Sequence, residues 1–179
     1  MCFSKIPYFK EIIIMAFVCD HCGYRNSEIK EGGGIADKAK RITLTVDTPQ
    51  DLNRDLYKSD SAKFSIPELD FDMGAGTLGS VFTTVEGLLD KLITELDEKN
   101  PFQGDSSQNK VYQVTVDRLR ELKDGGKPFT LVLDDAADNC FVYNPNAPNE
   151  DPKIKIEIYE RTAEQNEELG LDGMNVDNY

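Results

Sequence analysis

Two cysteines, Cys19 and Cys22, are separated by two residues and followed by Gly23. This is the spacing of a zinc knuckle, in which a tight turn lets two thiolates bind one metal ion. A structural zinc takes four ligands, typically from two such pairs. The other cysteines of the chain, Cys2 and Cys140, do not form a second pair. The sequence therefore predicts half of a structural zinc site at Cys19 and Cys22.

The same two cysteines have two alternative interpretations, a thiol-redox site and a pair of reduced thiols without metal. A redox Cys-x-x-Cys favours a first cysteine at a helix N-terminus, where its pKa is lowered. Here the β-branched, apolar residues 12–18 precede the pair and Gly23 follows it, which favours a knuckle. His21 is the only histidine. We expect it to face solvent, and the alternative is a ligand in a rearranged loop.

The remaining candidates for chemistry have simpler structural interpretations. Cys2 lies on a predicted strand, which favours packing over a role as a third ligand, and Cys140 is predicted to fill a core position. Asp134 and Asp135 are adjacent, and adjacent strand residues point to opposite faces, so we interpret them as turn and partner-surface residues rather than an acid–base pair. The glycines at 32–34 lack the lysine of a phosphate-binding loop. The sequence predicts that the protein is not an enzyme.

Composition narrows the classes of partner. The length of 179 residues fits one domain, or one domain with a small appendage. The hydrophobic content of 39% is enough for a core. A net charge of −13 argues against nucleic acid and suits a basic protein surface. The longest apolar run, residues 12–18, is far shorter than the roughly 20 residues of a membrane-spanning helix. We also find no secretory pattern, and four unevenly spaced cysteines indicate a reducing, intracellular compartment.

The elements that position these residues are predicted to be mostly strands. Apolar or alternating segments predict strands at residues 12–18, 42–46, 64–72, 129–133, 141–143 and 153–159. Pro67, inside the third of these, is expected at an edge or bulge.

The middle of the chain changes to a helical period. Thr83 and Glu86 have the spacing of a capping box, and apolar residues follow at helical spacing until Asn100 and Pro101 end the helix. A second helix is expected to end at the two glycines 125–126. The pattern predicts a helical hairpin inserted into a β domain.

Together these segments resemble the ZPR-type zinc-finger protein family, and in particular its second, C-terminal module. The resemblance covers nearly the whole chain and rests on blocks that occur in order, at residues 5–15, 19–30, 41–44, 58–61, 66–69, 82–88, 129–135 and 164–171. The C-terminal module is indicated by residues 76–79, 100–102, 104–107 and 165–171.

The resemblance implies a mainly β fold, a double-stranded β-helix (jelly-roll-like) with an inserted helical hairpin, preceded by a partial zinc ribbon. We predict that residues 1–35 form the second half of the ribbon and residues 36–160 the double-stranded β-helix domain. The hairpin is placed at about 83–124, and an acidic C-terminal helix or tail at 161–179.

The resemblance also implies a protein-binding module with structural zinc. Family members bind translation elongation factor 1-alpha and assist its folding, have been linked to receptor tyrosine kinase tails, and move between cytoplasm and nucleus. We expect these partners and compartments here, without nucleic acid or membrane. The alternative is a metal-independent thiol-redox protein or a jelly-roll enzyme. The latter is disfavoured because the single histidine lies at the knuckle, whereas such sites use histidines and carboxylates on barrel strands.

The sequence departs from the family pattern at two places. The family's ribbon begins with a Cys-x-x-Cys before the block at residues 5–15, and this sequence starts too late to include it. We therefore expect an incomplete gene prediction of a two-module protein, and weak or substoichiometric zinc. Four cysteines from two chains are permitted but not indicated. Residues 134–140 lack the proline and glycine usual in the family, which puts the turn geometry there in question.

Overall fold

The computed structural model describes residues 2–5, 9–98 and 106–172. Its strands are β1 (Cys2–Lys5), β2 (Glu11–Val18), β3 (Arg25–Glu31), β4 (Ala39–Val46), β5 (Asp55–Lys58), β6 (Ala62–Ile66), β7 (Phe71–Met73), β8 (Val81–Thr84), β9 (Phe129–Asp135), β10 (Phe141–Val142) and β11 (Ile154–Tyr159). Its helices are α1 (Pro49–Leu52), α2 (Val85–Glu98), α3 (Ser106–Lys123) and α4 (Ala163–Glu168).

The strands of the described ranges form a three-stranded ribbon and two further layers, one of three strands and one of five. The ribbon has the order β1-β2-β3, and the layers have the orders β10-β5-β8 and β11-β4-β9-β6-β7. The strand pairs are antiparallel. Both layers contribute to one apolar core, with Leu56 from the smaller sheet and Leu131 from the larger. The predicted mainly β fold is confirmed.

Alternation along the central strands explains why the larger sheet has one buried face. In β4, Ile42 and Leu44 are buried, whereas Arg41 before them and Thr45 after them are exposed. This alternation of buried and exposed residues is typical of an antiparallel sheet that is covered on one side. The apolar stripe of α2 then packs into the same core, with Leu88 fully buried.

The helical hairpin is present, but α2 starts one residue later than the sequence predicted. Thr83 belongs to β8, and the backbone N–H of Gly87 donates to Oγ1 of Thr84 at 3.1 Å. Thr84 is therefore the N-cap. The end of α3 agrees with the prediction, since Gly125 adopts a φ of 74° that favours glycine. Asn100 and Pro101, predicted to end the first helix, lie outside the described residues.

The predicted strand at 64–72 is wrong, because the chain turns back in its middle. β6 ends at Ile66, a single 3₁₀ turn spans Pro67–Leu69, and β7 returns antiparallel to β6. Proline fixes its own φ and has no N–H to give to a ladder, so it starts this turn instead of continuing the strand. Asp70 completes the reversal with a φ of 51°. The predicted domain boundaries stay a prediction.

One buried carboxylate organises the turn that follows β9. Asp135 is fully buried and accepts hydrogen bonds from the hydroxyls of Ser59 at 2.6 Å and Ser61 at 2.7 Å. The backbone N–H groups of Ala137 and Asn139 also donate to it, at 2.9 and 2.8 Å. Burial raises the pKa of Asp135, but these hydrogen bonds outweigh it and hold the pKa below its ordinary value.

Asp134 and Asp135 point to opposite faces, as predicted. Asp134 accepts a hydrogen bond from the Arg41 guanidinium at 2.7 Å on the outer face. The interpretation of Asp135 as a partner-surface residue is wrong, because its carboxylate faces the interior and fixes the turn from within.

The turn after Asp135 holds the ribbon against the larger sheet. Asp138 has a φ of 56°, which turns its backbone carbonyl toward Lys10 in the segment between β1 and β2. Nζ of Lys10 donates to that carbonyl at 2.6 Å and to the side-chain oxygen of Asn139 at 3.0 Å. Because Asn139 is itself tied to Asp135, the ribbon is anchored to a buried group.

Aromatic packing adds a second connection between ribbon and jelly roll. The Phe9 ring lies 5.0 Å from the Phe141 ring and 5.9 Å from the Tyr57 ring, measured between centroids. The Tyr57 hydroxyl donates to Glu31 of β3 at 3.0 Å. These contacts hold the start of β2 and the end of β3, so the turn between the two strands projects from the opposite end.

We expect Asp135→Asn to lower the free energy of unfolding by about 1–3 kcal/mol, because an amide cannot accept all four hydrogen bonds. Urea denaturation at pH 7 measures the loss. The pKa of Asp135 is lowered in the folded state, so its contribution is complete above the ordinary aspartate pKa of about 3.9 and is lost as the pH falls below it. The difference between wild type and variant should therefore shrink below about pH 4.

Asp72→Asn is the matched control, because Asp72 is exposed on β7. It should unfold at the same urea concentration as wild type. Equal stability of wild type and Asp135→Asn at pH 7 would show that the buried carboxylate does not hold the turn.

Candidate metal-binding knuckle

A tight turn brings Cys19 and Cys22 together between β2 and β3. The N–H of Cys19 donates to the carbonyl of Tyr24 at 2.8 Å, and the N–H of Gly23 donates to the carbonyl of Cys19 at 2.9 Å. Gly23 has a φ of 72°, which a residue with a side chain adopts only with strain. The backbone geometry fits the knuckle predicted from the Cys-x-x-Cys-Gly spacing.

The turn also favours the thiolate form of Cys19. Its pKa is lowered from the ordinary value, first by a backbone hydrogen bond from Cys22, then by one from His21. A thiolate is the form of cysteine that binds a metal. Cys22 is exposed and Cys19 partly exposed, so a metal ion has access to both sulfurs. Both sulfurs are thus accessible to a zinc ion, and the turn favours the metal-binding form of Cys19.

These two thiols do not complete a zinc site. Within the described ranges, no group of three or more histidine, cysteine or acidic side chains is arranged to hold a metal ion. Cys2 pairs with Ile14 of β2, five residues before Cys19, or about 16 Å at roughly 3.3 Å per residue. Cys140 is buried in the core. Two ligands fall short of the four that structural zinc requires.

The other predicted positions have mixed outcomes. The core position of Cys140 is confirmed, and burial raises the pKa of its thiol well above the ordinary value. His21 is exposed, as predicted. The packing predicted for Cys2 is wrong, because β1 is an edge strand of the ribbon and Cys2 is exposed on it.

The redox alternative finds no support in the local fold. A redox pair favours a helix that starts at the first cysteine and lowers its pKa. Here β2 leads into Cys19, and β3 begins three residues after Cys22. The turn is therefore that of a strand-to-strand knuckle.

The sequence reasoning missed an exposed apolar surface on the ribbon. Ile13, Met15 and Phe17 alternate along β2 and share one face, and Phe3 of β1 lies opposite Ile13. We call Phe3, Ile13, Met15 and Phe17 the ribbon face. Phe3 and Phe17 are 61% and 59% exposed. The sequence did not indicate this exposed face, because residues 12–18 are apolar on both faces, a pattern that predicts a buried strand.

The described part of the chain contains no helix long and apolar enough to cross a membrane.

Comparison with known proteins identifies related domains for both parts of the chain. The ZPR1 zinc-finger domain matches residues 1–37, and the ZPR1 jelly-roll domain matches residues 50–171. The second match confirms the predicted jelly-roll-like fold. The first supports zinc as the metal at the knuckle.

Individual relatives agree with these domain matches. Zinc finger protein ZPR1 of Homo sapiens is 45% identical over 179 residues, which cover 98% of this chain and 39% of that protein. Zinc finger chaperone zpr1 of Schizosaccharomyces pombe is 45% identical over 180 residues, covering 97% and 39%. A ZPR1-like protein of Methanocaldococcus jannaschii is 29% identical over 136 residues, covering 73% and 65%. The chain thus spans 39% of the length of the human and fission-yeast relatives.

We expect the purified chain to retain less than one zinc ion per chain after washing with a chelator, because two thiolates leave half of the coordination shell open. Elemental analysis measures the ratio. The double variant Cys19→Ser, Cys22→Ser should retain no zinc, whereas Cys140→Ser, altered in the buried core, should match wild type. One tightly held zinc per monomeric chain would contradict the incomplete site.

Proposed function

The chain belongs to the ZPR1 family of zinc-finger proteins, and on that premise we propose that it is a module that binds translation elongation factor 1-alpha and assists its folding. A role in folding is supported by the relative from Schizosaccharomyces pombe, which is named a zinc finger chaperone. Zinc in this proposal has a structural role at Cys19 and Cys22.

The observation that carries the proposal is the ribbon face. It places two largely exposed phenylalanines on an antiparallel sheet, beside a knuckle that projects from the jelly roll. Contiguous apolar surface of this kind marks sites where proteins bind other proteins, and aromatic side chains contribute most of the affinity there. A folding client offers apolar surface that is not yet buried, which is the complementary chemistry.

Charge favours the same kind of partner. The chain has 33 acidic and 20 basic residues. A net negative field speeds encounter with a basic protein surface and opposes binding to a phosphate backbone. We therefore propose protein partners and exclude nucleic acid and membrane surfaces from the proposal.

The described residues offer little for an enzymatic alternative. Asp135 is saturated by four hydrogen bonds, so its carboxylate has no free lone pair directed at a substrate. Asp134 is held by Arg41 and by the hydroxyl of Tyr159. A general base must reach the proton that it removes, and neither group is free to do so. We propose a non-enzymatic function.

The family resemblance extends the proposal to a second partner class and to location. We propose that receptor tyrosine kinase tails bind as well, and that the protein occupies cytoplasm and nucleus. Imaging of a fluorescent fusion of the chain tests the location, and a signal confined to one compartment would contradict it.

We expect Phe17→Ser to weaken binding to purified elongation factor 1-alpha about tenfold, because burying a phenylalanine contributes about 1.5–3 kcal/mol and 1.4 kcal/mol corresponds to tenfold in affinity. Isothermal titration calorimetry measures the dissociation constant. Phe17 is 59% exposed, so the substitution should leave the thermal unfolding midpoint unchanged.

Val114→Ser on α3 is the matched control, since Val114 is 50% exposed and lies on another surface. It should bind as wild type does. Wild-type chain that does not bind the elongation factor would overturn the proposed partner. Wild-type affinity of the Phe17→Ser variant would place the contact away from the ribbon face.

A further inference from the structure

The last strand of the larger sheet has an open edge. Within the described residues, β11 has β4 as its only strand neighbour. Two of its side chains are among the most exposed apolar groups, Ile156 at 58% and Ile158 at 69%. Natural edge strands are usually protected by proline, bulges, charged side chains or a covering helix or loop. In β11 the two charged residues, Lys155 and Glu157, have opposite signs and form an ion pair at 2.9 Å.

The register shows which backbone groups face the open edge. The N–H of Thr45 donates to the carbonyl of Lys153 at 2.9 Å, so this pair is hydrogen-bonded. Hydrogen-bonded and non-hydrogen-bonded positions alternate in an antiparallel ladder. The backbone groups of Lys155 and Glu157 therefore face β4, whereas those of Ile156 and Ile158 point away from the sheet.

The isoleucines of β11 lie on the same face of the larger sheet as the buried residues of β4, but at its edge. Ile154 lies opposite Leu44 and Ile156 opposite Ile42, and both partners are buried. Next to them, a cavity of about 330 Å³ opens between the edges of the two sheets, with Phe9, Phe141 and Ile156 in its lining. Ile154, Ile156 and Ile158 thus form an apolar strip at the mouth of the jelly roll, which we call the β11 strip.

We propose that two copies of the chain associate through this edge, with the β11 strands antiparallel and centred on Ile156. A two-fold interface must be self-complementary, because each surface meets its own copy. β11 meets this condition residue by residue. Lys155 lies opposite Glu157 of the second copy, and Ile154 lies opposite Ile158 of the second copy.

The backbone supports the same register. In this register Ile156 of one chain forms a hydrogen-bonded pair with Ile156 of the second copy. This agrees with the outward direction of the N–H and carbonyl of Ile156. Each Ile156 N–H donates to the Ile156 carbonyl of the other chain, and each Ile158 N–H donates to the Ile154 carbonyl. The N–H of Ile154 adds no bond to the interface, since it already donates to the carbonyl of Asp151 within its own chain at 3.0 Å.

The charged pairs then occupy the closer positions. Lys155 and Glu157 of the second copy form non-hydrogen-bonded pairs, whose Cβ atoms lie about 4.5–5.5 Å apart. Opposite charges at such positions stabilise a pair of strands, and like charges destabilise it. The register that aligns the isoleucines is therefore also the register that matches the charges, which is the reason for choosing a second copy as the partner.

Light scattering after size exclusion, at increasing concentration, tests the proposal on the whole chain. We expect the mass to rise toward twice the 20.1 kDa of one chain. Ile156→Lys should keep the mass at one chain, while Ile35→Lys, a matched change at an exposed isoleucine outside β11, should behave as wild type. Circular dichroism should show wild-type folding of both. A wild-type chain that stays monomeric, or an Ile156→Lys variant that still dimerises, overturns the proposal.

A charge exchange tests the register. Lys155→Glu places acidic residues opposite Glu157 of the second copy in both charged pairs and should weaken dimerisation about tenfold. The double variant Lys155→Glu, Glu157→Lys restores opposite charges in both pairs and should restore the dimer. If the double variant is as weak as the single one, the register centred on Ile156 is wrong.

Two other occupants give different results. A dimer held by a zinc ion shared between the knuckles would dissociate in a chelator, whereas the β11 dimer should persist. If the chain stays monomeric but binds an extended apolar peptide, and Ile156→Lys abolishes that binding, then the partner at this edge is a foreign strand and not a second copy. Loss of elongation factor binding does not affect these results, since the ribbon face and the β11 strip share no residue.

Discussion

Hydrogen bonds to one buried carboxylate hold the two parts of the molecule in a fixed relation. Asp135 ends β9 and collects donors from the β5–β6 connection and from its own following turn. That turn presents Asp138 and Asn139 to Lys10, which leads into the ribbon. The position of the knuckle therefore depends on a group in the core of the other part. An ionised group is suitable for this role because only a carboxylate accepts so many donors at once.

The features that follow from local periodicity were predictable. Alternation in β4 and β9 identified buried strands, and the apolar stripe of α2 identified the hairpin, because burial on one face leaves a period in the sequence. The knuckle was equally clear, since Cys-x-x-Cys-Gly combines metal-binding side chains with the glycine that a φ of 72° requires. The family resemblance added the jelly roll, which no local period specifies.

Features that depend on long-range contact were not predictable. Asp135 alternates like a strand residue, and nothing in the sequence announces that Ser59 and Ser61, more than 70 positions earlier, satisfy it. The N-cap moved from Thr83 to Thr84 because β8 pairs with β5 up to that residue. The strand predicted through Pro67 failed for a local reason, since alternation continues on both sides of a hairpin and hides the turn between them.

The order of strands in the larger sheet has a consequence for synthesis of the chain. β4 lies between β9 and β11, which follow it by roughly 90 and 110 residues. Because the chain is synthesised from its N-terminus, both edges of β4 stay unpaired until β9 and β11 have been made. Such non-local pairing slows folding and leaves strands open to wrong partners. The larger sheet is thus most exposed to aggregation before β11 has been made.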